Sequence, residues 1–196
     1  MDYTLLIFYV ALALGVSFLC SLLEAIVLSI PYTHIAVMEK DGSKIGQIWA
    51  KLKDDDAVKP LTAILTLNTI AHTMGAAGVG SEVNKLYGED ALTIASVILT
   101  LAVLFLSEII PKTIGTAYWK RLAAPAGHVL NFMTICLAFL IVPIQWLKTV
   151  LPKGEHSLVT RDDVAALADL VEEECILESD EELVIHNLLR LREISV

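Results

Sequence analysis

The groups able to do chemistry sit inside long apolar stretches of this chain. Ser17, Ser21 and Glu24 are spaced i, i+4, i+7, which sets them on one face of a helix. Ser29 follows five residues after Glu24. Asn68, His72 and Gly75 repeat the same spacing in a second stretch, with Gly78 and Gly80 beyond them. A third stretch contains Ser107-Glu108-Ile109-Ile110-Pro111-Lys112. Taken singly, each group has a bland reading. A serine in an apolar helix often bonds a carbonyl one turn back or packs at a helix interface. His72 can bond a neighbouring backbone, the glycines suit close helix packing, and Glu108 can pair with Lys112 at i, i+4. Taken together they suggest a site. Pro111 has no N–H and clashes with the carbonyl of Ser107, which frees carbonyls near Glu108. Irregular backbone at membrane depth is tolerated only beside protein or a water-filled cavity. Hydroxyls, an amide, one or two carboxylates and freed carbonyls make an all-oxygen set, which hard cations prefer. No Cys/His cluster suits zinc. The expectation is a Mg²⁺ or Na⁺ site between broken helices; the residues do not separate these ions from Ca²⁺.

The elements that must hold these groups are membrane spans. The 196 residues are 56% hydrophobic and 19% charged, with a mean hydropathy of +0.67, against about 45–50% and about 25% for a soluble domain. Disorder, collagen and a disulfide-rich secreted domain are excluded. The net charge of −9 is uneven: residues 1–152 are near neutral, and 153–196 carry almost all of the excess acid. That balance argues against nucleic acid, which needs a basic face. Cys20, Cys136 and Cys175 lie far apart and read as packing residues.

A spanning helix needs about 20 apolar residues. The uncharged run between Asp2 and Glu24 opens a first span reaching about Ile30. The run between Lys59 and Glu82 is a second. Residues of about 91–118 read as one long third helix interrupted by Pro111. Five lysines in 31–59 against Lys85 alone in 82–90 place the first loop inside and the N-terminus outside. Residues 122–147 are long enough for a fourth span but contain Pro125, Pro143 and scattered polar groups. They read equally as a kinked helix in the inner interface. Segment 31–59 reads as short amphipathic helices with a turn at Lys40-Asp41-Gly42, and Lys53-Asp54-Asp55-Asp56 as a solvated turn. The tail reads as two helices with a mostly solvated acidic face. It stops at Ile194-Ser195-Val196 without a capping or turn signal, so truncation is expected.

Ser21-x-x-Glu24 with Ser29, Asn68, and above all Ser107-Glu108-Ile109-Ile110-Pro111-Lys112 resemble the CorC/cyclin M (CNNM) family. The tail from Val159-Thr160-Arg161-Asp162-Asp163 to Leu188 is similar to that family's acidic linker. The resemblance implies an all-α membrane protein with three transmembrane helices plus a kinked interfacial juxtamembrane helix, followed by a small acidic cytoplasmic helical unit. It makes 122–147 non-spanning, 1–152 the transmembrane domain and 153–196 the linker. It implies a homodimer in the cell membrane, with the N-terminus outside and the C-terminus cytoplasmic. It also implies transport of Mg²⁺, with export driven by Na⁺ entry as the leading form. Its cation ligands map onto Ser17, Ser21, Asn68 and Glu108, with a carbonyl at Gly115; Glu24, His72, Ser29 and Pro111 are outer candidates. ATP is expected only through CBS modules, which follow in the family and are not in these residues. The chain departs from the family pattern at Leu23 and Ala25, and at His72, where a second asparagine is common. A non-transporting Mg²⁺-sensing regulator is the alternative. An intramembrane hydrolase using His72 with Ser17 or Ser21 lacks any nucleophile elbow, so no enzyme is expected.

Overall fold

A computed structural model describes residues 3–140, which fall within the first of two units into which the chain divides. The side chains of Asp55 and Asp56 are not described. The expected acidic helices of 153–196, and Pro143 with the rest of 141–152, lie outside the described residues.

Helix α1 (Thr4–Ser29) is the first apolar run. Its 26 residues rise about 39 Å, enough to cross a bilayer core of about 30 Å. It stops because Pro31 disfavours helical geometry at the residue before it, and Ile30 is extended at φ −75°, ψ 117°. The loop to the next long helix folds into α2 (Tyr32–Lys40) and α3 (Lys44–Lys53). They are separated by a turn at Asp41-Gly42, where Gly42 has φ +72°. The acidic turn is a 3₁₀ turn, Asp54–Ala57. Helix α4 (Val58–Tyr87) has Pro60 in its first turn and stops at Gly88.

The next rod contains a change of helix type. Helix α5 (Asp90–Ala102) passes into a π-helical segment, Val103–Ile109, and then into α6 (Ile110–Cys136). The N–H of Ile110 bonds the carbonyl of Phe105, five residues back. The expected interruption at Pro111 is therefore not a break but a widened turn just before it. The widening restarts the α register at Ile110. Pro111 then falls in the first turn of α6, where a missing N–H is harmless. The true bend comes later, at Tyr118 (φ −115°, ψ 18°). Beyond it α6 continues through Pro125 to Cys136, so the described part of 122–147 is helical and the bend precedes it.

Helix α1 is central and packs on α4 and on the π segment and first half of α6. After Tyr118, α6 packs on α3. Trp49 of α3 is fully buried there, and its Nε1–H donates to the carbonyl of Ala123 at 2.8 Å. Gly127 leaves the space that the Trp49 ring fills. Around this join lies a core of Cys20, Ile26, Ile30, Trp49, Leu52 and Leu130. Helix α5 buries none of its residues, and Ile94, Val97, Ile98 and Leu101 face outward. Among the described residues, α1 and the rod Asp90–Cys136 are long and apolar enough to cross a membrane. Helix α4 has the length, but Asn68 and His72 interrupt its apolar run.

Candidate cation site

Helices α1 and α4 meet along a set of close rungs. The Tyr9 ring lies over Gly78, and Ala13 packs against Gly75 so closely that a Cβ there would sit 2.5 Å from the Ala13 methyl. One turn further, His72 Nε2 and Ser17 Oγ are hydrogen-bonded at 2.7 Å. The helices run antiparallel along these rungs, so the next turn brings Ser21 level with Asn68. Ser17 and Ser21 are buried, and the Oδ1 of Asn68 is buried without a hydrogen-bond partner. An unsatisfied buried polar atom costs about 1–3 kcal/mol. Such an atom calls for a missing partner, and a cation is one that an amide oxygen accepts.

The π segment and α6 run beside α1 in parallel. Ser107 is buried and its hydroxyl donates to the carbonyl of Leu14 at 2.9 Å. Lys112 Nζ is 3.2 Å from Glu24 Oε2. Gly115 lies against α1, where a Cβ would come 2.7 Å from the Ala25 methyl and 2.9 Å from the Leu22 carbonyl. These contacts place Glu108 near the level of Ser17. A cleft of about 340 Å³ opens there, and its lining includes Ala13, His72, Thr100, Leu104 and Glu108. Glu108 is half-buried and forms no hydrogen bond or ion pair among the described residues. It carries the sole carboxylate of the lining.

The predicted residues thus separate into groups. His72 and Glu108 line the cleft, Ser17 is buried behind His72 and hydrogen-bonded to it, and Ser21 and Asn68 lie one turn away. Glu24 is not in the lining; its charge is answered by Lys112, which takes this partner rather than Glu108. Ser29 is the last residue of α1 and does not line the cleft. Pro111 is buried in the first turn of α6, and Gly115 serves close helix packing; neither lines the cleft. Thr100 was not anticipated. Its spacing of four from Ser96 is the signal available in sequence; its hydroxyl donates to the Ser96 carbonyl and keeps its lone pairs for the cleft. No group of three or more His, Cys, Asp or Glu occurs among the described residues. The donors are instead hydroxyls, an amide, one carboxylate and one ring.

The described residues are all helical, with apolar faces turned outward and polar groups gathered within them, the pattern of a helical membrane protein. Residues 7–181 match the family described as cyclin M transmembrane N-terminal domain, and the chain belongs to that family. The family is one of membrane transport proteins associated with Mg²⁺, not of enzymes. Among curated relatives, a UPF0053 protein of Synechocystis is 26% identical over 189 residues, covering 96% of this chain and 54% of the relative. The UPF0053 inner membrane protein YfjD of Escherichia coli is 28% identical over 141 residues, covering 70% and 31%. A chloroplastic DUF21 domain-containing protein of Arabidopsis thaliana is 23% identical over 202 residues, covering 95% and 29%. The chain spans about half or less of the length of these relatives.

Proposed function

We propose that this chain is the membrane module of a Na⁺-coupled Mg²⁺ transporter that works as a homodimer in the cell membrane. In this reading α1, α4 and the rod from α5 to Tyr118 are three spans, with the N-terminus outside. The rest of α6 lies along the inner face and leads to a cytoplasmic tail. The observation that carries the reading is a half-buried Glu108 in the cleft that forms no hydrogen bond or ion pair among the described residues; the unsatisfied Oδ1 of Asn68, one turn beyond His72 on α4, supports it. A charged group at membrane depth costs several kcal/mol, about 2.5–3.5 on insertion scales. It persists where it has a cation to meet.

The cleft suits an ion that keeps part of its water. Mg²⁺ dehydrates reluctantly and usually retains several waters, and about 340 Å³ accommodates several at about 30 Å³ each. Glu108 supplies the charge, while Ser17, Ser21 and Asn68 supply neutral oxygens. A single carboxylate is neutralised by Na⁺ but left one charge positive by Mg²⁺. Competition for that one carboxylate is a simple basis for coupling the two ions.

The test is Mg²⁺ flux in proteoliposomes with and without an opposed Na⁺ gradient, beside Glu108→Ala. Flux that needs both the gradient and Glu108 supports the reading. Flux retained by Glu108→Ala removes the assigned site. Bound Mg²⁺ without flux, in a full-length chain as well, favours a regulator that senses Mg²⁺.

A further inference from the structure

We infer that His72 gives this cleft a nitrogen ligand, and with it a preference for a borderline transition dication, Mn²⁺ through Ni²⁺ or Zn²⁺, over Mg²⁺. The inference rests on the cation reading of the cleft proposed above and concerns which ion fits it best. The His72 ring is part of the lining, on the same cleft as the Glu108 carboxylate. Its Nε2 is 2.7 Å from the oxygen of Ser17, a residue with no solvent exposure. Two donors on neighbouring corners of an octahedral ion, with bonds of about 2.1 Å, stand about 3 Å apart. The pair is therefore already spaced almost as two adjacent ligands.

The change on binding is small. With the ring as its Nδ1–H tautomer, the Ser17 hydroxyl donates to Nε2. An ion entering between them takes the Nε2 lone pair and a Ser17 oxygen lone pair once the hydroxyl hydrogen turns aside. No proton leaves: the Ser17 hydroxyl keeps its hydrogen and turns it to another acceptor. Glu108 completes a mixed nitrogen–oxygen set. Imidazole suits Ni²⁺, Zn²⁺ and their neighbours, and affinity rises from Mn²⁺ to Ni²⁺, whereas carboxylate and water suit Mg²⁺. Mg²⁺ still binds through Glu108 and the neutral oxygens, and its abundance decides how often it is the ion carried.

The test uses the purified chain with His34, His128, His156 and His186 changed to Asn, so that His72 is the remaining imidazole. Binding of Ni²⁺, Mn²⁺ and Mg²⁺ is measured by equilibrium dialysis for this background, for added His72→Asn, and for added Glu108→Gln. The expected result is Ni²⁺ bound at least about tenfold more tightly than Mg²⁺ in the background. His72→Asn removes about tenfold or more of the Ni²⁺ affinity and leaves Mg²⁺ within about threefold. Glu108→Gln weakens all three ions. If His72→Asn leaves the Ni²⁺ to Mg²⁺ ratio unchanged while Glu108→Gln still weakens binding, the nitrogen ligand is overturned and the cation cleft stands. If neither substitution changes binding, the cleft reading itself falls and this inference with it. Should His72→Asn fail to fold, the electron spin echo of Mn²⁺ bound to the background decides. Modulation from an imidazole nitrogen is expected, and its absence overturns the inference.

Discussion

The Oδ1 of Asn68 and the Nε1 of Trp49 are both buried polar atoms, with opposite consequences for stability. The Oδ1 of Asn68 has no partner, so Asn68→Leu removes an unsatisfied atom while roughly keeping the volume. This variant is expected to be as stable as the parent or more stable, by up to about 1 kcal/mol, yet to bind Mg²⁺ more weakly. Thermal melting in detergent beside equilibrium dialysis checks both parts; lowered stability with unchanged binding would place Asn68 in the structure rather than the site. The Trp49 Nε1–H, by contrast, is satisfied by the Ala123 carbonyl. Trp49→Phe removes that hydrogen bond and leaves a void beside Gly127, and a loss of about 1–3 kcal/mol is expected in the same melting measurement. The candidate site was partly legible at this scale. The i, i+4 spacing put Ser17 with Ser21 and Asn68 with His72, because spacing alone decides a helix face. It did not show that Lys112 turns to Glu24, since that contact joins distant parts of the chain and local spacing favours Glu108.

At the scale of elements, glycines decide which faces meet. Gly75 and Gly115 let α4 and α6 come close to α1, each where a Cβ would meet an alanine methyl. Gly115→Leu is expected to destabilise by several kcal/mol, about 1–3 for overpacking and more if α6 lifts off α1. Loss of monodisperse protein in detergent is the readout, and an unaffected elution profile would show that α6 tolerates separation. Lys112→Ala is expected to cost less than about 1 kcal/mol, because the Lys112–Glu24 pair is well exposed at 46% and 37%. The helices themselves were readable from uncharged runs and from Pro31, Gly42 and Gly88, which act through local backbone sterics. The widened turn was readable only in part. The clash of Pro111 with the Ser107 carbonyl signals strain, but whether a helix breaks, bends or widens depends on what holds its two ends. The bend at Tyr118 has no signal in its own residue type; Lys120 and Arg121 just beyond it were the sole hint.

For the molecule as a whole, the proposed three-span arrangement makes opposite accessibility predictions for two exposed loops. Glu89 stands in the turn between α4 and α5, and Asp41 in the turn between α2 and α3. In intact cells Glu89→Cys is expected to react with a membrane-impermeant thiol reagent, and Asp41→Cys only after permeabilisation. The reverse pattern would invert the topology, and labelling of both from one side would remove α4 as a span. The apolar α5 surface has no partner within the described chain, which fits lipid or a second copy. Crosslinking in native membranes distinguishes these.

The wide turn at Val103–Ile109 is a surplus of one residue in a rod that otherwise counts regularly. It behaves as a dislocation does in a crystal. It can glide one residue at a time, trading bonds of five-residue span for bonds of four, but it cannot anneal away while the rod keeps its length. Each glide swings the side chain that it passes by roughly 100° about the rod axis. Glu108 stands inside the defect, and Gly115 is held against α1 beyond it. A glide of one residue would turn this carboxylate relative to its cleft while Gly115 stays packed against α1.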